Sequence, residues 1–383
     1  MIHLIAGEKI RLYPTPEQEQ LFWKFSNIAR FTYNECLAYK IQVYQEQGYS
    51  CKVQDLIEHI QDLKYSGDYN WLLEVPESVT KQAIKDLDKA YKAFFKRGNK
   101  GFPKFKKKSK TKPSFYVRSD KFKQIDSTHI KVTGIKTHIR MKPFRVITQL
   151  LNPRISFDGK YWYLSFSYEV DNLPKSDSDE VIGIDVGVSH LATISNGVVY
   201  ENINKTKRVR QLEKRKRHLQ RKLSRKYEAN KEVNKYVKTN NILKLEQELR
   251  LVNRKLKNIR DTYIHQVTYN LVKTKPGYIV IEDLNVRGML KNKHLSKAIQ
   301  EQEFYKFRQY LTYKCQFYGI ELIVADRFYP SSKTCSCCGY KKKFLSLSER
   351  TFICPECGQV MDRDLNAALN LKNYGKERVN LAS

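Results

Sequence analysis

Apolar positions in the first part of the chain recur at two spacings. Glu8-Lys-Ile-Arg-Leu12 alternates and predicts a short strand. Thr15-Pro16-Glu17-Gln18 follows, with a capping threonine, a proline suited to the first helical position, and a glutamine three residues on that completes a capping box. Leu21, Phe25, Ile28 and Thr32 then fall at helical spacing. Further helical segments, broken near Tyr65–Asn70 and at Pro76, predict a helical domain over 13–98. From Ser114 to Val170 the period becomes two. Pieces such as His129-Ile-Lys-Val-Thr133 and Tyr161-Trp-Tyr-Leu-Ser-Phe-Ser167, separated by turns such as Asp158-Gly159, predict a small β-domain, a barrel. Residues 171–180 read as a polar linker.

The remainder has an α/β pattern. Val181–Asp185 is a short apolar run ending on an acid, and Leu191–Ile194 is a second strand. The Asn196-Gly197 turn leads into a third, Val198–Tyr200. Ile242, Leu245, Leu249, Val252, Leu256 and Ile259 recur at spacings of three and four, so a helix over this stretch should pair with the helix predicted over 205–226. Tyr278–Glu282 is another buried strand ending on an acid. Phe304–Phe317 reads as a helix, Glu321–Ala325 as a strand and Arg363–Leu371 as a last helix.

Length and charge narrow the possibilities. A chain of 383 residues exceeds one ordinary core, so several domains are expected. No apolar run approaches the roughly 18 residues of a membrane span, and the N-terminus lacks a signal-peptide core, so a cytoplasmic, nucleoid-associated protein is expected. Seventy-one Lys and Arg against 40 Asp and Glu give a formal charge of +31, a surplus that opposes compaction until a polyanion neutralises it. Nucleic acid is the expected polyanion. Two runs concentrate the charge. Residues 96–112 hold nine Lys or Arg and no acid, with Phe102 and Phe105 interleaved, and residues 205–226 hold twelve with the single acid Glu213. Lys104, Lys106, Lys107 and Lys108 in the first run, and Lys214, Arg215 and Arg217 in the second, are the candidate phosphate contacts.

Five of the eight cysteines crowd between Cys335 and Cys357. Cys335, Cys338, Cys354 and Cys357 form C-x2-C-x15-C-x2-C, the spacing of a tetrahedral zinc site. Each pair is followed by glycine, Gly339 or Gly358, as the tight turn of a knuckle requires. Symmetry leaves Cys337 spare. With four thiolate ligands no position stays open for water, so the zinc is expected to be structural. Cys36, Cys51 and Cys315 lack ligand spacing and read as structural residues.

The strand-end acids are the candidate chemistry. A lone carboxylate at the end of an apolar strand is costly unless something uses its charge. Asp185 and Glu282 both stand there, and Asp362 and Asp364 stand at the start of the last helix. The order of elements is that of an RNase H-like fold, which brings the first strand, the fourth strand and a late helix to one point. Carboxylates converging there suit two Mg²⁺ ions and phosphodiester hydrolysis. Asp185, on the central strand, is the expected bridging ligand. Asp283 should face away from Glu282, and Asp362 suits an N-cap. The order Asp, Glu, Asp is that of RuvC-type nucleases, whereas many transposases and retroviral-type integrases use Asp, Asp, Glu.

Several motifs together carry a family resemblance: Gly183-Ile-Asp-Val-Gly187, Ile281-Glu-Asp-Leu-Asn-Val286, Arg327-Phe-Tyr-Pro-Ser-Ser-Lys-Thr-Cys335, Cys354-Pro-Glu-Cys-Gly358 and Asp362-Arg-Asp-Leu-Asn-Ala-Ala368. With Lys9-Ile-Arg-Leu-Tyr-Pro-Thr-Pro16 and the basic Phe102-Pro-Lys-Phe-Lys106, they span nearly the whole chain. The chain resembles TnpB, the RNA-guided DNA nucleases of bacterial insertion sequences, and is similar to the type V CRISPR effectors. The resemblance implies that Asp364 completes the catalytic set Asp185, Glu282 and Asp364. It implies a guide RNA from the transposon end and a double-stranded DNA target beside a short flanking motif. It also implies a multidomain α/β architecture: a β-barrel wedge domain (1–12 and 99–175), a helical recognition domain (13–98), a RuvC-like nuclease domain (176–331 and 361–383) and a zinc-binding insertion (332–360). The rival readings are an RNA-guided DNA-binding regulator that no longer cuts, a transposase that joins DNA strands, and a zinc-ribbon RNA-binding protein without catalysis.

Overall fold

A computed structural model describes residues 4–96, 101–147, 149–170, 175–232, 235–346 and 349–380. Part of the expected linker and of the first basic run therefore lies outside the described residues. The chain divides into two compact units, one of residues 5–170 and one of residues 171–383 together with the first four.

In the first unit, strand β1 (Leu4–Tyr13) is followed by helices α1 (Pro16–Gln47), α2 (Val53–Tyr65) and α3 (Glu77–Phe95). Six strands follow: β2 (Ser114–Tyr116), β3 (Phe122–Gln124), β4 (His129–Val132), β5 (Ile139–Met141), β6 (Leu151–Phe157) and β7 (Trp162–Val170). They join β1 in one sheet of order β2-β6-β7-β1-β5-β4-β3. The start of α1 follows from local chemistry. The Thr15 hydroxyl accepts the Gln18 backbone N–H (3.3 Å), and the Gln18 side chain accepts the Thr15 N–H (3.0 Å). Gln18 is buried, and its amide also donates to the Thr137 hydroxyl (2.8 Å) and the His138 carbonyl (3.0 Å), which pins the helix to the sheet. Phe22, Phe25 and Ile28 of α1 share a core with Phe115, Ile139, Trp162 and Leu164 of the sheet. A second core, built on Leu37, Leu56, Ile60, Ile84 and Leu87, lies among the three helices.

The second unit is a mixed sheet between helices. Its elements are β8 (Val181–Asp185), β9 (His190–Ile194), β10 (Val199–Glu201), α4 (Lys207–Ala229), β11 (Lys231–Glu232), β12 (Lys235–Tyr236), α5 (Asn240–Lys273), β13 (Tyr278–Glu282), α6 (Val286–Met289), α7 (Ser296–Gln302), α8 (Phe304–Tyr318), β14 (Glu321–Ala325), β15 (Thr351–Ile353), β16 (Val360–Asp362) and α9 (Arg363–Asn380). The sheet order is β10-β9-β8-β13-β14, antiparallel from β10 to β8 and parallel from β8 to β14. Strand periodicity divides the side chains. Ile182, Ile184, Ile279 and Ile281 face a layer formed by Ile264, Val267, Leu271 and Val272 of α5 and Phe307, Leu311 and Cys315 of α8. Val181 and Val280 face the opposite way, against Leu371 and Tyr374 of α9.

The expected helix pair is present: Val209 and Leu219 of α4 pack on Leu245, Val252 and Leu256 of α5. Glu213, the acid of the basic helix, is buried in this seam and accepts from Arg260 at 3.1 Å. Arg260 also bonds the Asn204 side chain (2.8 Å) and lies 3.6 Å from Glu301.

Candidate carboxylate and cysteine sites

The parallel register of β8 and β13 pairs Val280 with Gly183 and Ile281 with Ile184, which leaves Asp185 and Glu282 side by side at the same sheet edge. Period-two alternation turns both side chains to the α9 face, the face of Val181, Gly183 and Val280. The third acid arrives on α9. Asp362 caps that helix, its Oδ1 accepting the N–H groups of Asp364 (2.9 Å) and Leu365 (3.0 Å), so Asp364 stands in the first turn.

Close packing brings the helix to the sheet. A Cβ on Gly183 would lie inside the backbone of Ala368 and Lys372, and one on Gly375 would run into Val280 and Val181. The two missing side chains allow α9 to lie directly on β8 and β13.

The electrostatics reflect this convergence. Burial, and then the facing charges of Glu282 and Asp364, push the Asp185 carboxyl well above the usual carboxylate range, with Arg363 acting the other way. Burial also raises Glu282, while a hydrogen bond from the Ser331 hydroxyl lowers it. His190 Nδ1 lies 3.7 Å from Asp364. The set is a concentration of negative charge that Arg363 only partly offsets, which fits a divalent metal by the chemistry of its oxygen donors. Its oxygens are less tightly gathered than the cysteine sulfurs: among the described residues, the four cysteines are the one metal-suited group of His, Cys, Asp or Glu.

Asp283 is engaged elsewhere. It bonds Arg308 (2.7 Å) and Arg327 (2.5 and 3.0 Å), and those arginines hold its carboxyl below the usual range. Sequence reasoning missed four residues that build the site. Ser331 bonds Glu282. Asn370 donates to the carbonyls of Ser331 (2.7 Å) and Thr334 (2.6 Å). Asn366 donates to Thr334 O (2.7 Å) and accepts the Ser336 N–H (2.9 Å). Gln302 donates to Gly187 O (2.9 Å), fixing the turn after Asp185. The one available signal was the i, i+4 pair of asparagines, Asn366 and Asn370, on an otherwise apolar helix face.

Cys335, Cys338, Cys354 and Cys357 bring their sulfurs within 4.8 Å of one another. The Cys335–Cys357 and Cys338–Cys354 separations are 3.7 and 3.5 Å. A tetrahedron with Zn–S bonds of ~2.3 Å has S···S edges of ~3.8 Å, so the four thiolates fit a metal ion such as zinc. Two similar turns build the site. Gly339 N–H donates to Cys335 O (3.0 Å) and Gly358 N–H to Cys354 O (3.1 Å), with φ of 79° and 71° at the glycines. Cys337 is exposed and outside the group.

The candidate phosphate contacts differ from one another. Lys104, Lys107, Lys108, Lys214, Arg215 and Arg217 are exposed, with Arg215 lying 3.6 Å from Glu248. Lys106 turns inward: its ammonium lies 3.6 Å from the Tyr33 ring centre, and its backbone bonds Asn34 on both sides (2.7 and 3.1 Å).

This arrangement defines a class before it defines a family. The structure of a Cas12f1–sgRNA–target DNA complex matches with a TM-score of 0.58 at 14% identity, covering 97% of this chain and 99% of that one, so the chain has the multidomain α/β fold of Cas12-type effectors. Family models described as "Probable transposase" and "Cas12f1-like, TNB domain" match residues 165–293 and 304–371. A third, "Helix-turn-helix domain", matches residues 1–49, whose described part holds β1 and the single long α1. A Streptomyces pristinaespiralis protein named "Putative RNA-guided DNA endonuclease" is 31% identical over 371 residues, covering 96% of this chain and 88% of the relative. InsQ of Escherichia coli K12, named in the same way, is 29% identical over 384 residues, with coverage of 96% and 91%. The chain belongs to this family, the TnpB proteins.

Proposed function

We propose that the protein is a transposon-encoded, RNA-guided DNA endonuclease that cuts a guide-matched double-stranded target beside a short flanking motif. The observation that carries this is the meeting of Asp185, Glu282 and Asp364 at one sheet edge, in a chain whose relatives are named RNA-guided DNA endonucleases. In this reading the unit of residues 171–383 is a RuvC-like nuclease of RNase H-like fold with a zinc-binding insertion. The seven-stranded sheet acts as the wedge domain and α1–α3 as the recognition domain. Support comes from the sheet order, with three antiparallel strands followed by two parallel ones, and from the late helix that delivers the third acid.

Asp185, Glu282 and Asp364 would hold Mg²⁺ through their carboxylate oxygens. Bound there, the metal would supply a water activated near neutral pH and would offset charge on the leaving oxygen. The chain's own groups prepare this. The Ser331 hydroxyl orients Glu282, Asp362 fixes the first turn of α9, and the Gln302 amide holds the turn after Asp185. The cysteine cluster would hold structural zinc and keep the segment from Ser331 to Thr334 in place for Asn366 and Asn370. The basic face of α4 and the exposed lysines of 104–108 neutralise guide and target phosphates.

The test is plasmid cleavage by complex purified from cells that express the chain with its flanking DNA. The target is guide-matched, has a randomised flank and is supplied with Mg²⁺. Wild type should make guide-dependent cuts and report the flanking motif, whereas Asp185→Ala should still bind guide and target but not cut. Bound RNA and bound target without cuts by the wild type would overturn the nuclease reading in favour of an RNA-guided regulator.

A further inference from the structure

The loop between β14 and the cysteine cluster carries a side chain that the carboxylate chemistry does not use. Residues 326–331 are anchored repeatedly. Tyr329 N–H closes a turn onto Asp326 O at 2.9 Å. Arg327 is tied to Asp283 through two nitrogens, at 3.0 and 2.5 Å. The Tyr329 ring packs edge-on against Tyr374, with centroids 4.7 Å apart, and its hydroxyl donates to Asn370 O at 3.2 Å. Ser331 holds Glu282. Between these anchors Phe328 points outward with 92% of its surface exposed, the most of any described large hydrophobic residue.

Leaving a phenyl ring in water forfeits the burial that drives folding, and doing so on a fixed loop suggests a use for the ring. Its place in the chain narrows that use. Phe328 lies between Ala325, the register partner of Glu282 on β14, and Ser331, the hydrogen-bond donor to Glu282. The ring therefore stands on the loop that orients one of the three acids. Its flanking cation is held in place, since Arg327 is paired with Asp283, a carboxylate it shares with Arg308. Beside that held cation the rim offers an incoming nucleic acid an apolar face. Every nucleobase has a matching π-face, and a rigid aromatic ring stacks with little loss of side-chain freedom.

We propose that Phe328 stacks on an unpaired base of the DNA strand entering the carboxylate site, and so positions that strand for cutting without reading its sequence. The proposal rests on the nuclease reading above. The occupant is single-stranded DNA because a paired base hides its faces in the stack, and because a chain of charge +31 draws polyanions to its surface.

Guide-loaded complexes of wild type, Phe328→Ala, Phe328→Tyr and Phe328→Trp would be given targets in which a single abasic nucleotide is walked along the cut strand. Phe328→Ala should cut the intact target ~10-fold less efficiently, the size expected for one lost base–aromatic stack. Tyr and Trp should restore most of it. At one or two positions the abasic nucleotide should slow wild type by a similar factor and add little to Phe328→Ala. That loss should not change with salt, since no charge is removed. A readout independent of cutting uses Phe328→Trp combined with Asp185→Ala. The added indole emission, measured over the Asp185→Ala parent, should be quenched when the target binds, and the same abasic nucleotide should relieve the quenching.

Quenching without any cutting by the wild type would leave the stacking role standing and overturn the nuclease reading. Cutting by the wild type together with matching abasic profiles in wild type and Phe328→Ala would do the reverse. A change in oligomeric state of Phe328→Ala with an unchanged abasic profile would assign the ring to a second copy of the chain and likewise overturn the proposal.

Discussion

Asp185 is an acid placed where its charge is least favourable, and that placement has a measurable consequence. Its carboxyl is raised by burial first and then by Glu282 and Asp364. For an acid whose folded pKa exceeds its unfolded one, the native state holds the proton more tightly. Stability is therefore lost as pH rises from the unfolded pKa through the folded one. In chelator, Asp185→Asn should melt higher than wild type at neutral pH, by a few degrees or about 1–2 kcal/mol. The advantage should vanish near the unfolded carboxylate pKa, and Mg²⁺ should raise the melting temperature of wild type only. Thermal melts across pH, with and without the ion, check both. Asp283 behaves oppositely. Its arginine pairs lower its pKa, so its contribution is present at neutral pH and is lost as pH falls through the folded value. Asp185 and Glu282 stand out in the sequence because each ends an apolar run, where an unused charge is hard to explain, whereas Asp364 at a helix start is singled out only by the family resemblance. Apart from the spacing of Asn366 and Asn370, nothing marked those two residues, Ser331 or Gln302 as parts of the site. Serine, asparagine and glutamine are ordinary polar residues, and these four acquire roles through partners that lie 30 to 115 residues away in the chain.

At the scale of elements, helix α9 joins the two candidate sites. Its start presents Asp364. Its buried Asn366 and Asn370 hold the loop that leads into Cys335, and its far end packs on β8 and β13. Gly183 sets its height above the sheet. Gly183→Ala must push Ala368 and Lys372 outward, so it should destabilise the fold by about 1–3 kcal/mol and reduce cutting more than guide binding. Denaturant titration and cleavage assays on one preparation separate the two effects. The cysteines make a second element-scale prediction. Cys354→Ser should lower bound zinc and weaken the anchorage of α9, whereas Cys337→Ser should keep one zinc per chain, because Cys337 lies outside the group. Metal analysis of the two purified variants decides it. The spacing of this knuckle, the α1 cap and the α4–α5 seam could be read from sequence because each is set by residues close in the chain or by one strict period. The extent of α9 could not. Its pattern after Leu371 is polar, and what continues the helix is contact with the face of a sheet that sequence order alone does not bring near.

At the scale of the molecule, the formal charge of +31 implies a partner but does not say which charges meet it, and the side-chain placements separate the candidates. Lys214 and Arg217 project freely from α4, Arg215 is shared with Glu248, and Lys106 is stacked on Tyr33. Phosphate contacts release counterions, so each free cation that engages the backbone should steepen the fall of affinity with salt by about 0.7 to 0.9 in log–log slope. Replacing Lys214, Arg215 and Arg217 together by alanine should weaken nucleic-acid binding and lower that slope by about two. Arg215 should contribute least because Glu248 already offsets its charge. Lys106→Ala should leave the slope nearly unchanged and instead destabilise the unit of residues 5–170, since it removes a cation–π contact inside the fold. Binding isotherms at four or five salt concentrations, set beside melts of the same proteins, distinguish the two kinds of lysine. An unchanged slope in the triple variant would mean that the α4 face is solvated surface, and would move the search for the phosphate path to the exposed lysines at 104, 107 and 108.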